Sequence, residues 1–173
     1  MIIRAAIPAD AGTICAIHNQ VIRGSLITFT TQERQIGAVA RAIKEGQVFL
    51  VAEVGEQVVG FAGYGGFRPG PGYAHTVEHS LYLAPEMRGR GAGRILLLAL
   101  EERARRDHVH VMVAGISSAN AAGIAFHAAM GYGHAGRLPE VGHKQGQWLD
   151  LVLMQKILSE DGSGSPDTVP MTG

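Results

Sequence analysis

Cysteine is almost missing from this chain: Cys15 is the only one in 173 residues, which excludes an internal disulfide and any cysteine-cluster metal site. Its position within an amphipathic helical pattern marks it as a core residue rather than a nucleophile. Net charge is missing too. Fifteen basic residues cancel fifteen acidic ones, so no global field draws the protein to nucleic acid or to an anionic membrane. Long hydrophobic runs are also absent. The longest, Ile95 to Leu100, is too short to span a bilayer, and Met1 to Arg4 leads into Pro8-Ala9-Asp10 without a signal-type apolar stretch. These absences set the expectation of a cytoplasmic protein with neither nucleic acid nor membrane as partner. His108 and His110 stand two apart with no third ligand in view, so no metal is expected.

What is present is enough apolar residue to build a core, 46% of the chain, and it reads as one domain over residues 1–158. Residues 159–173, rich in Ser, Gly, Pro and Asp, are expected to form a flexible tail without a functional task. Ile2 to Ala5 reads as a strand, and Asp10 as the cap of a helix with apolar positions Ile14, Ile17, Val21 and Ile22. A second helix is expected over residues 32–45. A hairpin follows, Val48 to Val54 and Gln57 to Tyr64, turned by Gly55-Glu56. Gly65 to Gly72 should be a loop, Thr76 to Leu83 a strand, Ile95 to Arg106 a helix, and His108 to Ala114 a strand. Asn120 to Met130 should be helical, with Tyr132 to Arg137 and Gln147 to Leu158 as closing strands around Gly142 to Gly146. The order β-α-α-β-β-β-α-β-α-β-β implies an α/β (α+β) fold, a mixed sheet covered on both faces.

The most informative stretch is Arg88-Gly89-Arg90-Gly91-Ala92-Gly93-Arg94, between a strand and a helix. Three glycines let backbone approach a ligand closely, and the first turn of a helix presents unpaired N–H groups and the positive end of its dipole. Arg88, Arg90 and Arg94 add forked cationic donors suited to phosphate oxygens; the competing interpretation is a glycine turn with a solvated basic face. The ending Gly93-Arg94-Ile95 lacks the Gly-Lys-Ser/Thr of a Walker loop. The glycine spacing and the missing acidic residue after the next strand exclude a dinucleotide fingerprint. The ligand expected is phosphate-bearing, neither a nucleoside triphosphate nor NAD.

That loop resembles the Q/R-x-x-G-x-G/A signature of the GNAT acyltransferases. Thr76-Val77-Glu78-His79-Ser80-Leu81-Tyr82-Leu83, Ser118-Ala119-Asn120, Phe126 to Tyr132 and Gly142 to Asp150 are similar to the phosphinothricin and methionine sulfone/sulfoximine N-acetyltransferases within that superfamily. The resemblance runs from about residue 2 to 157. It implies the GNAT fold with a mostly antiparallel central sheet, acetyl-CoA as co-substrate, and a homodimer. Leu81, Tyr82 and Leu83 would offer backbone groups to the pantetheine arm, Arg88 to Arg94 would hold the pyrophosphate, and Asn120 would reach the arm, cap its helix, or both. Arg68, in the loop with Pro69 and Gly70, would hold the carboxylate of an amino-acid acceptor. Close relatives usually carry a bulky residue after Arg-Pro and a basic one shortly before Thr-Val-Glu, where this chain has Gly70 and Ala74, a difference that widens the pocket or lowers affinity for a small polar acceptor.

Strand alternation places Thr76, Glu78, Ser80 and Tyr82 on one face of the sheet. A carboxylate there serves as the general base that frees the attacking amine, directly or through a water, or else as half of an ion pair. His127, where many GNAT enzymes carry a tyrosine that protonates the leaving thiolate, is a proton donor, a base, or a helix histidine without a chemical task. His79 either lines the acceptor site beside Ser80 or points into the sheet. The activity implied is acetyl-CoA-dependent acetylation of the α-amino group of a small amino acid or toxic analogue by direct transfer. The alternatives are acetylation of a peptide, protein or other amine, and a silent acetyl-CoA-binding sensor.

Overall fold

A computed structural model describes residues 1–158; the tail expected at 159–173 lies outside the described residues. The elements follow in the order β1 (Ile2–Ala5), α1 (Ala11–Gly24), α2 (Ile36–Lys44), β2 (Val48–Val54), β3 (Gln57–Gly66), β4 (Thr76–Leu83), α3 (Ala92–Arg106), β5 (Val111–Ser117), α4 (Ala121–Ala129), β6 (Gly133–Lys144) and β7 (Gln147–Ile157), and the strands are seven. They form one seven-stranded sheet in the order β1-β2-β3-β4-β5-β7-β6. Every neighbouring pair is antiparallel except β4 and β5. Those two are joined by the α3 crossover, as parallel neighbours must be.

Each face of the sheet has its own core. On one side α1 and α2 pack Ile14, Ile17 and Val39 against Phe49, Val51 and Phe61. On the other, α3 lays Leu96, Leu97, Leu100 and Ala104 against Val77, Met112, Ala114 and Ile116. Cys15 is buried in the first core, and burial pushes its thiol up, which suits a packing role.

Turn chemistry explains why several elements end where they do. Gly55 and Glu56 both have positive φ, 51° and 60°, the left-handed pair that a two-residue hairpin requires. The second helix begins at Ile36, four residues later than expected, because the Asn19 side chain bonds both the N–H and the C=O of Arg34 and holds that segment extended. β3 runs on to Gly66, two residues into the expected loop, because Gly65 and Gly66 pair with Glu78 and Val77. His108 has φ 58°, so β5 starts at Val111 and runs to Ser117. β6 continues to Lys144 and turns at Gln145-Gly146. Asp10 holds the N-cap position of α1 as expected, but its side chain makes no capping bond to that helix. Its carboxylate accepts from the Ile7 N–H (2.8 Å) and pairs with Arg4 (2.7 Å).

Close backbone approach fixes Gly63, where a Cβ would collide with the Val48 carbonyl oxygen on the neighbouring strand. The atom in the way is backbone and cannot swing aside. Gly63→Ala is therefore expected to lower stability by about 2–3 kcal/mol, readable as a fall in the urea midpoint at constant m.

Candidate active site

The site originates in the one parallel pair. β4 and β5 pair from Thr76↔Val111 to His79↔Ala114 and no further. Beyond that point β5 pairs only with β7, and β4 only with β3. The two strands part, leaving the β4 backbone from Ser80 onward without a strand partner on that side. The cleft that opens is lined by His79, Ser80, Leu81 and Tyr82 from β4, Ala114, Gly115 and Ile116 from β5, Asn120 and His127 from the α4 region, and Ile27 from the α1–α2 connection.

Glu78 stands at the root of this cleft on the α1 side of the sheet. A Cβ at position 115 would collide with its Oε1, so the carboxylate lies over the bare backbone of Gly115. Desolvation raises its pKa, and among the described residues no side chain pairs with it. The ion-pair alternative therefore has no counter-charge. With Glu78 in the base role that the resemblance implies, Gly115→Ala is expected to push the carboxylate aside and lower kcat about tenfold, since misplacing a reacting group by about an ångström costs that much or more. An unchanged kcat in that variant would detach Glu78 from the chemistry.

His79, one residue on, faces the opposite side and is buried against His127, with ring centroids 5.1 Å apart. Burial, and secondarily the charge of His127, pushes His79 down to about 3. His127 has one ring nitrogen fixed: Nδ1 lies 2.7 Å from the Gly123 carbonyl. A carbonyl only accepts, so Nδ1 carries the hydrogen and Nε2 is the acceptor of the neutral ring. Burial lowers the pKa of His127, with the Gly123 bond opposing. The resting ring is thus set up to receive a proton rather than to give one.

The glycine loop ends at the start of α3. Gly89 and Gly91 have φ 72° and 80°, a conformation other residues adopt only under strain. The helix begins at Ala92, three residues before the expected Ile95, and no side chain caps it. The first intrahelical acceptor is Gly91, taken by the Ile95 N–H, which leaves the N–H groups of the first turn free for an anion. Arg88 and Arg90 are exposed beside it, while Arg94 reaches back to Met130 Sδ at 3.9 Å. Gly93 is packed against Leu83 and Phe126, which joins α3, β4 and α4 beside the cleft. Asn120 caps α4 through Oδ1, 2.9 Å from the Gly123 N–H, and lines the cleft as well.

A strand edge left open, an uncapped helix start with cationic side chains beside it, and a desolvated carboxylate at the fork match what an acyl-CoA enzyme needs. The model of the acetyltransferase (GNAT) domain matches residues 3–153. The chain belongs to the GNAT acetyltransferase family. An L-methionine sulfoximine/L-methionine sulfone acetyltransferase of Pseudomonas paraeruginosa is 41% identical over 158 residues, which is 88% of this chain and 92% of that one. A GNAT superfamily phosphinothricin acetyltransferase from Sinorhizobium meliloti, solved with acetyl-CoA, superposes with a TM-score of 0.89 at 31% identity, covering 98% of this chain and 95% of that one. A ribosomal-protein-alanine N-acetyltransferase from Brucella melitensis gives a TM-score of 0.85 at 42% identity, over 91% and 99% of the two chains.

Within this GNAT site the sequence-derived residues fall into three groups. His79, Ser80, Leu81, Tyr82, Asn120 and His127 line the cleft, and Glu78 lies beside it against Gly115. Leu83 borders it through Gly93, and Arg88 to Arg94 form the loop and first turn of α3. Arg68, Pro69 and Gly70 sit apart on the exposed connection between β3 and β4, the Arg68 guanidinium 5.3 Å from the Phe67 ring. Gly115 escaped sequence reasoning. A glycine inside an otherwise apolar strand was its only signal, and its value depends on a neighbour 37 positions away. No helix among the described residues is long and apolar enough to cross a membrane.

Proposed function

We propose that this chain is an acetyl-CoA-dependent N-acetyltransferase that acetylates the α-amino group of a small amino acid or a toxic analogue of one, of the phosphinothricin and methionine sulfone/sulfoximine class, by direct transfer. The observation that carries this reading is the parting of β4 and β5 beside Glu78, with the uncapped α3 start at the same end of the sheet. The free edge of β4 at Leu81, Tyr82 and Leu83 fits a pantetheine arm. The N–H groups of Ala92 and Gly93, with Arg88, Arg90 and Arg94 about them, fit its pyrophosphate. Asn120 adds an amide at the cleft wall.

Acetyl-CoA, when bound, supplies an acetyl group activated as a thioester. Glu78 takes a proton from the acceptor ammonium, directly or through a water, and so frees the lone pair that attacks. Backbone N–H groups along the open edge of β4 stabilise the negative charge that develops on oxygen. His127 Nε2 receives a proton from the reacting nitrogen and is the group from which the sulfur is reprotonated. Buried Cys15 has no place in the route, and no covalent enzyme intermediate is required.

The reading extends to Arg68, with Pro69 and Gly70, as the holder of the acceptor carboxylate. Arg68→Ala is expected to raise KM for free amino-acid acceptors at least tenfold, leaving KM for acetyl-CoA unchanged and any peptide acceptor unaffected. Equal KM values in the variant would place carboxylate recognition elsewhere. A second reading, acetylation of a protein N-terminus, is favoured by the likeness to the Brucella melitensis enzyme; the same comparison of free amino acids with peptides separates the two. The reading also puts the protein in the cytoplasm, where acetyl-CoA is at hand, with detoxification of amino-acid analogues as its role. It includes a homodimer as well, supported by the exposed apolar Tyr73, Leu138, Val141 and Trp148, and light scattering at twice the 18.3 kDa chain mass is the expected result.

A further inference from the structure

We propose that Lys144 is a positioning residue for the acceptor: from β6 it holds the connection between α1 and α2 across the cleft, and so sets the wall that Ile27 presents to the amine substrate. This rests on the acetyltransferase reading above. The stretch Gly142 to Asp150 gives no side chain to the cleft lining, so its bearing on the reaction is indirect. The strand order shows how it acts. α1 packs on β3 and β4, whereas β6 lies beyond β5 and β7. A connection that leaves α1 and touches β6 passes over the fork between β4 and β5. Glu78 shares the face of β4 that Tyr82 turns to the α1 core. The acceptor that meets its carboxylate therefore packs against what this connection presents.

The ends of the connection are tied to α1. Ser25 Oγ donates to the Val21 carbonyl at 2.8 Å, and the Asn19 side chain bonds both the N–H and the C=O of Arg34. Its middle is tied to β6. Lys144 Nζ donates to the Thr28 carbonyl at 2.9 Å, one residue from Ile27 in the cleft lining. Two positions earlier on the same strand face, Gly142 leaves room for the Phe29 ring, and a Cβ there would stand 2.6 Å from it. His143, between them, turns outward and stacks on Trp148 with ring centroids 4.6 Å apart. Lys144 is a costly side chain for this place. It is 3% exposed, and among the described residues no acid pairs with it; desolvation alone moves its pKa, downward. A buried cation without a counter-charge lowers stability. Methionine would fill much the same space without that cost. The ammonium group is thus explained by what it holds, the Thr28 carbonyl beside the cleft.

The test compares the full chain as wild type, Lys144→Met and Lys144→Arg by steady-state kinetics, melting temperature and backbone nitrogen relaxation. Lys144→Met keeps the length of the side chain and removes its donor; Lys144→Arg keeps a charged donor. In Lys144→Met the KM for the acceptor is expected to rise about tenfold, with KM for acetyl-CoA within about twofold. The order parameters of residues 26–29 are expected to fall from about 0.85 to below about 0.6. The melting temperature should hold or rise, because the variant removes a lone buried charge. Lys144→Arg should recover most of the acceptor KM. A residue that only packs would show the opposite pattern, a lower melting temperature with both KM values unchanged. The proposal is overturned by an unchanged acceptor KM or unchanged order parameters in Lys144→Met, or by an Arg variant no better than Met at equal melting temperature. A Lys144→Met chain that melts well below wild type or does not fold overturns it too, by making Lys144 a stabilising residue. Lack of acetyl transfer by the wild type defeats the enzymatic reading instead, and the relaxation comparison then decides alone whether Lys144 holds the connection.

Discussion

Glu78→Gln lowers kcat for acetyl transfer by about 10²–10³-fold and leaves KM for acetyl-CoA within about twofold, the range expected when a general base is removed and the cofactor site is untouched. The amide preserves the shape that lies over Gly115. No ion pair is broken, since the carboxylate has none among the described residues, so the melting temperature should stay the same or rise slightly. The pH profile supplies a second signature. Desolvation raises the pKa of Glu78, and only the ionised carboxylate accepts a proton. The wild-type rate should therefore fall as pH drops through that raised value, and this acid limb should vanish from the residual rate of the variant. An unchanged rate in Glu78→Gln would take this residue out of the mechanism.

Acid is expected to destabilise the fold well above the usual carboxylate range. His18 and His79 are buried and neutral, pushed down to about 4 and about 3 chiefly by desolvation; neither has a hydrogen-bond partner at either ring nitrogen among the described residues. In the unfolded chain the same groups titrate near 6.5. Between that value and the folded ones the unfolded state binds more protons, so stability rises with pH in that window and is lost as pH falls through it. Each histidine contributes up to about 2 kcal/mol between pH 7 and pH 5. A combined loss of about 3 kcal/mol is therefore expected, read as a lower urea midpoint at pH 5 than at pH 7. His18→Phe, which can keep the stacking against Tyr82 at 4.3 Å, should remove roughly half of it. A pH-independent midpoint over that range would mean that these rings find proton partners in solution.

Much of the architecture could be seen in the sequence because its signals are local. The Gly55-Glu56 turn, the 3.6-residue spacing of Ile14, Ile17 and Val21, and the strand Thr76–Leu83 each depend on residues within a few positions, and each is found where it was expected. Boundaries were missed where a distant partner sets them. Asn19 delays α2 by holding Arg34, and Glu78 and Val77 draw Gly65 and Gly66 into β3. The same division holds at the site. The glycine loop and Glu78 stand out in the sequence by their motifs, and the alternation expected of β4 is kept, with Glu78 over Gly115 on one face and His79 against His127 on the other. The place where β4 and β5 part depends on pairing between strands linked by a 15-residue helix, α3. The tautomer of His127 depends on the Gly123 carbonyl one helical turn back, which no side-chain motif records. Arg68 is the reverse case: a clear assignment by resemblance, set on an exposed loop away from the cleft lining.

The first measurement to make is thiol release from acetyl-CoA with purified wild-type protein, run against methionine sulfone, methionine sulfoximine, phosphinothricin, the common amino acids and a set of short peptides. The expected result is rapid release with one or more of the free amino acids or analogues, and an N-acetylated product of matching mass. Acetyl-CoA binding without turnover on any of these amines would contradict it, leaving a domain that senses acetyl-CoA rather than one that transfers its acetyl group.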